Sequence, residues 1–167
     1  MVVFNEDEVS KSFQQRFSIV LNENGGNNSE FARKIGVSSS IITLYLNGKR
    51  KPNGIVLQNI ARNYNVSIDW LLGLSEDRKL VAVKESTMPL SYAFAIKFSR
   101  LRTENNMSKI DFSKQYEKMT NQKNSLTIAA TCEAGKSVPR IKILIITGQI
   151  FHVSIDYLLD LTDKKNK

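Results

Sequence analysis

The stretch that most constrains the fold covers residues 27–52, NNSEFARKIGVSSSIITLYLNGKRKP. Its spacing predicts two short helices separated by a turn at Gly36, because glycine adopts the left-handed conformation that ends a helix at little cost. Asn27 is a favourable N-cap for the first helix, and Glu30, three residues later, completes a capping box. Ser38 is expected to cap the second helix.

The side chains of these two helices divide into a buried and an exposed set. Apolar residues at helical spacing are expected to face inward: Phe31, Ala32, Ile35, Ile42, Tyr45 and Leu46. The other face of the second helix is expected to be exposed and carries Ser39, Ser40, Thr43 and Leu44. A basic run over residues 49–51 follows directly.

These residues and the continuation PNGIVLQNIARNYNVSIDWLLG resemble the Cro/CI-type (XRE-like) helix-turn-helix of bacterial and phage repressors. The resemblance covers roughly residues 27–73. It implies a fourth helix after Pro52 and a short fifth helix capped by Ser67. The implied fold is an all-α, lambda-repressor-like domain of about five helices that binds double-stranded DNA.

The resemblance also implies roles for individual residues. The base-contact positions of the family, on the helix that enters the major groove, fall on Ser39, Ser40, Thr43 and Leu44. Its phosphate-contact positions fall on Asn28, Asn47, Lys49, Arg50 and Lys51. Hydroxyl groups hydrogen-bond to several bases, so modest specificity per half-site is expected, made up by two-fold binding or DNA shape. The alternative for these serines is plain helix surface.

The chain also contains a tandem repeat. Residues 97–112 align with residues 16–31 at a shift of 81, and VSIDYLL at 153–159 repeats VSIDWLL at 66–72 at a shift of 87. We therefore predict two tandem helix-turn-helix domains, with six residues inserted between the second and third helices of the second copy.

The predicted domain boundaries follow from this repeat. Residues 1–76 are expected to form the DNA-binding domain, and residues 91–167 a divergent second domain for assembly or auxiliary DNA contact. Residues 77–90 are mixed in character and are expected to form a linker, partly docked, with a small extra strand as the alternative.

The second copy departs from the first on its expected reading surface. No glycine corresponds to Gly36, and Ser125 is expected to cap the third helix. The outward positions of that helix offer little hydrogen bonding: Leu126, Thr127, Ala130 and Thr131. The basic loop keeps only Lys136 of its three charges.

The fourth helix of the second copy is apolar nearly all round, and a helix without a polar face is buried on two sides. Four isoleucines replace less apolar residues of the first copy and predict an assembly surface: Ile141, Ile145, Ile146 and Ile150. This surface could pack on the first copy or on the same helix of a second subunit in a homodimer. A larger internal core around the inserted loop is the alternative.

The charge of the chain favours an anionic partner. It carries 24 Lys+Arg against 16 Asp+Glu, a net charge of +8, which favours nucleic acid first and an anionic membrane second. Residues 87–167 hold 13 Lys+Arg and 7 Asp+Glu, an excess that fits a solvated surface or a nonspecific phosphate track equally. No run approaches the ~18 apolar residues of a membrane helix, and the N-terminus is acidic, so a cytoplasmic protein without membrane contact is expected.

No catalytic site, metal site or cofactor is expected. Cys132 and His152 are the only cysteine and histidine, so the chain can form neither an internal disulfide nor a zinc site. No glycine-rich oxyanion element accompanies them, which disfavours a nucleophile pair, and Cys132 is expected to be a buried small hydrophobe.

These observations predict a binding protein rather than an enzyme. The function expected is a sequence-specific transcription repressor of phage or mobile-element type. The alternative is a protein-interaction module or an antitoxin-type regulator whose second domain binds a protein partner.

Overall fold

The computed structural model describes residues 5–81, 83–123 and 126–165. Over these residues the protein consists of ten helices without a strand, which confirms the predicted all-α class. An isolated antiparallel bridge joins Val66 and Lys79. The described residues form two compact units, 5–83 and 84–165. None of the described helices is long and apolar enough to cross a membrane.

The first unit contains α1 (Glu6–Glu23), α2 (Asn28–Ile35), α3 (Ser39–Leu46), α4 (Gly54–Tyr64) and α5 (Ile68–Leu71). Asn5 caps α1, and Asn27 caps α2, each accepting two main-chain N–H bonds from the first turn that follows. Gly36 ends α2 with a φ of 77°, in the left-handed region that its sequence context predicts. The turn between α2 and α3 is therefore set by local sequence.

An aromatic cluster joins the first three helices. Phe17 of α1 is fully buried and meets Phe31 of α2 and Tyr45 of α3 edge-on, with ring centroids 5.4 and 5.7 Å apart. Phe13 makes a further edge contact with Tyr45 at 5.9 Å. Such pairs contribute about 0.5–1.5 kcal/mol each beyond the area they bury. The cluster fixes the position of α3 on the unit.

The second unit contains α6 (Leu90–Glu104), α7 (Lys109–Thr120), α8 (Ile128–Glu133), α9 (Ile141–Phe151) and α10 (Ile155–Leu158). Part of the six-residue insertion lengthens α7, which has 12 residues where α2 has 8. Asn121 then takes the left-handed conformation, with a φ of 51°. Asparagine tolerates this conformation better than most residues, so it supplies the turn that lacks a glycine.

The helix starts around this turn differ in how they are capped. Ser108 and Asp111 form a capping box on α7, as their spacing predicts. Ser125, expected to cap the third helix of this unit, lies outside the described residues. The helix α8 begins at Ile128, and Thr127 at its N-cap position makes no side-chain capping bond.

The four isoleucines of α9 do not form one open surface. Ile145 and Ile146 are 1 % and 0 % exposed, whereas Ile141 and Ile150 are half-buried. Ile145 and Ile146 are therefore inaccessible to a second chain, which corrects that part of the prediction and leaves Ile141 and Ile150 for contact with another subunit. The physical reason is that an apolar helix is covered on more than one side.

Several contacts occur in both units at the shifts found in the sequence. Glu23 pairs with Arg78 in the first unit, and Glu104 pairs with Lys165 at 2.6 Å in the second. The amides of Ser67 and Ser154 donate to the carbonyls of Arg78 and Lys165, at 2.7 and 2.8 Å. In each unit, the segment after the fifth helix therefore returns to the first helix. In the first unit this docks part of the predicted linker, and Leu80 is buried.

Candidate nucleic-acid interface

The helix α3 presents a row of hydroxyl groups. Ser39, Ser40 and Thr43 are exposed, and Leu44 is half-buried. On the opposite side of α3, Ile42 and Tyr45 are 0 % and 3 % exposed. Burial raises the pKa of Tyr45, so its phenol stays neutral at physiological pH. The inner face thus anchors α3 and leaves the hydroxyl row accessible.

One of these hydroxyls is already engaged. The Oγ atoms of Ser38 and Ser40 lie 2.9 Å apart, and the Ser38 side chain makes no capping bond to α3. Ser38 occupies the N-cap position as expected but caps the helix only through its main chain. A hydroxyl has one donor and two acceptor sites, so Ser40 keeps capacity for a further partner.

The loop after α3 is held by main-chain hydrogen bonds. The carbonyl of Leu44 accepts from the amides of Lys49 at 2.9 Å and Arg50 at 3.2 Å. Gly48 has a φ of 66°, in the left-handed region that favours glycine, and a Cβ there would displace the Gln14 side chain, whose Nε2 would be 1.9 Å away.

The side chains of Asn47, Lys49 and Arg50 are exposed on this loop, beside the hydroxyl row. Among residues 5–81, no carboxylate forms an ion pair with Lys49 or Arg50. The loop therefore presents two cations on a fixed main chain.

The third cation of the loop is not free. Lys51 forms an ion pair with Glu6, in the first turn of α1. The acidic first turn of α1 is visible in the sequence, but its partner 45 positions away is not. The predicted phosphate-binding cluster therefore contains two uncompensated charges rather than three.

The start of α2 offers less to a phosphate than its sequence indicates. The side chain of Asn27 accepts from the amides of Ser29 and Glu30 at 3.0 and 3.1 Å, so these donors are occupied. Glu30 pairs with Lys34 at 3.0 Å instead of closing the predicted capping box. The hydrogen bond from Lys34 lowers the pKa of Glu30. Asn28, which is half-buried, remains as the candidate phosphate ligand on this turn.

Two asparagines support α2 in a way that sequence analysis missed. The amide of Asn59 donates to the carbonyl of Ile35 at 3.1 Å, and that of Asn63 donates to the carbonyl of Lys34 at 3.2 Å. These carbonyls lie at the C-terminal end of α2, where a helix lacks its own donors. In the sequence, the only indication of these two hydrogen bonds is that the fourth helix carries polar residues at both positions. They secure the end of α2 next to the Gly36 turn.

The corresponding face of the second unit is chemically different. Thr127 and Thr131 are exposed, but the Thr131 hydroxyl donates to the carbonyl of Thr127 at 3.0 Å. Leu126 is 59 % exposed at the start of this face. Lys109 binds Glu133 with an Nζ–Oε2 distance of 2.7 Å. This face offers few hydrogen-bonding groups for base edges.

Cys132 and His152, the two residues considered for catalysis, lie in different environments. Burial raises the pKa of Cys132 to about 12, so its thiol is protonated at physiological pH. His152 is exposed and ends α9 with a φ of 53°. Over the described ranges 5–81, 83–123 and 126–165, no three His, Cys, Asp or Glu side chains could together hold a metal ion.

The first unit thus has a glycine turn between two short helices, the second of which carries an accessible polar face. In agreement, the helix-turn-helix family model matches residues 19–71 of this chain, from the last turns of α1 to the end of α5. The match indicates a DNA-binding transcription regulator. No curated protein and no solved structure matches the chain.

Proposed function

We propose that the protein is a transcription repressor that reads the major groove with α3. The observation that carries the proposal is the exposed row Ser39, Ser40 and Thr43, placed directly before the rigid loop with Lys49 and Arg50. A helix with an accessible polar face is the element that B-DNA admits in its major groove. A bound repressor of this kind occludes the promoter.

The proposal assigns phosphate contacts and base contacts to different residues. Lys49, Arg50 and the amides of Asn28 and Asn47 contact phosphates, which set the register and supply most of the affinity. The α3 hydroxyls read base edges, and Leu44 contacts a thymine methyl group. Because serine and threonine pair with several bases, a single unit distinguishes sequences modestly.

We infer that the second unit is a divergent copy of the first. The recurring Glu–basic ion pairs and the recurring serine caps of α5 and α10 support this inference. At the positions that the proposal assigns to base reading, Leu126 and Ala130 replace Ser39 and Thr43, and Thr127 alone keeps a hydroxyl. In this proposal the first unit therefore supplies most of the sequence reading.

Two-fold binding remains part of the proposal, since one reading helix spans only a few base pairs and dimers bind two half-sites a helical turn apart. Of the predicted assembly surface, only the half-buried Ile141 and Ile150 remain available. Sedimentation of the whole chain with and without operator DNA tests this part. A monomer on a single half-site at saturation would contradict it.

The function itself is tested by selecting bound DNA from a random pool with the whole chain. We expect a symmetric enriched site. The matched control is Lys49→Ala/Arg50→Ala, which keeps the fold because both side chains are exposed and should enrich nothing at the same salt concentration. Absence of enrichment with the wild-type chain would overturn the proposal and favour a protein-interaction module.

A further inference from the structure

The second unit carries two large, exposed apolar side chains on segments that contact each other. Ile110 on α7 is 56 % exposed, and Leu126, just before α8, is 59 % exposed. The hydroxyl of Ser113 donates to the carbonyl of Leu126 at 3.2 Å. Ile110 lies three residues before Ser113 on α7, hence on the same side of that helix. A single exposed apolar residue is ordinary, whereas a neighbouring pair of this size marks a patch.

The first unit provides an internal comparison for this patch. At the sequence shifts of 81 and 87, Ile110 corresponds to Ser29, Leu126 to Ser39, and Ala130 to Thr43. Three hydroxyl-bearing residues have thus been replaced by three apolar ones. They include two of the three positions in the row that we assign to base reading, whereas Thr127, the counterpart of Ser40, keeps an exposed hydroxyl. Isoleucine, leucine and alanine cannot hydrogen-bond to base edges, so this face offers fewer polar base contacts and more apolar surface than α3 does.

Cations flank the patch. Lys114 lies one turn beyond Ile110 on α7, and Lys136 follows the C-terminal end of α8; both are exposed. The nearby carboxylate of Asp111 is held by the amide and hydroxyl of Ser108 in the capping box. Residues 87–167 carry 13 Lys+Arg against 7 Asp+Glu, and a second copy of this particular face would bring its lysines opposite lysines. An apolar centre with a basic rim is complementary to an apolar side chain flanked by carboxylates.

We propose that this α8 face, composed of Ile110, Lys114, Leu126, Ala130 and Lys136, binds an acidic segment of another protein. An apolar side chain of that segment packs between Ile110 and Leu126. Its carboxylates pair with Lys114 and Lys136, which favours encounter and fixes register. The second unit then recruits a protein while the first unit holds DNA.

The test is a selection from a displayed library of random peptides, with the whole chain as bait. Counter-selection uses the variant Ile110→Ser/Leu126→Ser/Ala130→Thr, which installs the counterparts from the first unit. We expect enriched peptides that combine Asp or Glu with a leucine, isoleucine or aromatic residue. A synthetic peptide from the enriched set should bind the variant about tenfold or more weakly than it binds the wild-type chain, which corresponds to ~1.4 kcal/mol. Its binding should also weaken as salt rises.

Two controls make the result decisive. Ile96→Ser removes an isoleucine that is 40 % exposed on α6 of the same unit, and it should leave peptide affinity unchanged. Circular dichroism and thermal unfolding establish that each variant is folded. The proposal is overturned if no peptide is enriched, or if enriched peptides lack acidic residues. It is also overturned if Lys114→Ala/Lys136→Ala weakens binding of a DNA duplex as much as Lys49→Ala/Arg50→Ala does, because the face would then contact phosphates.

Discussion

Lys51, the last cation of the loop after α3, forms an ion pair with Glu6 in the first turn of α1. The two preceding cations, Lys49 and Arg50, are exposed on the same loop. The three charges that are equivalent in the sequence are therefore not equivalent in the structure. Their contributions to DNA binding should differ accordingly.

The first prediction separates these cations by salt dependence. Each phosphate contact changes the slope of log K against log salt by about 0.9, so Lys49→Ala/Arg50→Ala should make the slope shallower by about 2. Lys51→Ala should change it by less than about 1, and Glu6→Gln, which releases Lys51, should strengthen binding. Fluorescence anisotropy of a labelled duplex at several salt concentrations measures all three. If the three cations contributed equally to this slope, the ion pair of Lys51 with Glu6 would have to break at little cost when the protein binds DNA.

The second prediction concerns base reading. Ser39→Ala should cost about 1 kcal/mol against the best selected site and little against random DNA, because it removes one hydrogen bond to a base edge. Competition binding with both kinds of DNA gives the comparison. Thr120→Ala, on α7 of the second unit, is a matched hydroxyl removal away from the interface. If Ser39→Ala weakened both kinds of DNA binding equally, the hydroxyl would only position the protein.

The third prediction concerns the support of α2. Asn59→Ala removes the donor to the Ile35 carbonyl and should lower the free energy of unfolding of the first unit by about 1 kcal/mol. Trp70, the only tryptophan, lies in this unit and reports its chemical denaturation by fluorescence. Asn53→Ala, which removes the cap of α4, is a comparison of similar size at another helix end. An unchanged denaturation midpoint for Asn59→Ala would mean that water replaces the asparagine at no cost.

The fourth prediction concerns a buried ion pair in the second unit. Lys97 donates to Asp160 at 2.8 Å and to the carbonyl of Tyr157 at 2.6 Å, and both charged side chains are at most 10 % exposed. Lys97→Met leaves Asp160 only the longer ion pair with Lys84, at 3.5 Å, and should destabilise the unit, by less than the about 3–5 kcal/mol expected for a buried charge with no partner left. Hydrogen exchange of the α6 and α10 amides measures the loss.

A double variant provides the control for this pair. Arg16 and Gly73 occupy the corresponding positions of the first unit, where Arg16 donates to the carbonyl of Trp70 at 2.6 Å. Lys97→Arg/Asp160→Gly should therefore be more stable than Lys97→Met, because it removes both the carboxylate that has lost its closest partner and the positive φ of 56° at a non-glycine residue. A double variant as unstable as Lys97→Met would show that the packing of the lysine, rather than the charge pair, dominates.

The fifth prediction is a pH dependence at Glu133. Burial alone would raise the pKa of Glu133, but hydrogen bonds from Lys109 and Arg102 outweigh it and hold the pKa below its ordinary value of 4.5. Because the folded pKa is the lower one, the stabilisation is complete above pH 4.5 and is lost as the pH falls through the folded value. Glu133→Gln should flatten this part of the stability profile in thermal unfolding from pH 3 to 7. If the variant lost stability at low pH in the same way as the wild-type chain, the pH dependence would belong to other carboxyl groups.

Sequence alone determined the elements whose cause is local. The cap at Asn27, the left-handed Gly36 and the buried stripe of Phe31 and Ile35 depend on residues within a few positions of each other. Hydrogen-bond geometry and helical periodicity fix such features before any tertiary contact forms. The exposed face of α3 could be predicted for the same reason, because its buried residues recur at helical spacing.

Tertiary structure decided which of the predicted residues are available for binding. The ion pair of Lys51 with Glu6, the bonds of Asn59 and Asn63 to α2, and the burial of Ile145 and Ile146 all join segments far apart in the chain. A periodic pattern shows that a face is apolar or charged, but it does not identify the group that covers or neutralises it. That depends on how the helices pack, because packing alone brings a distant carboxylate or carbonyl within hydrogen-bonding distance.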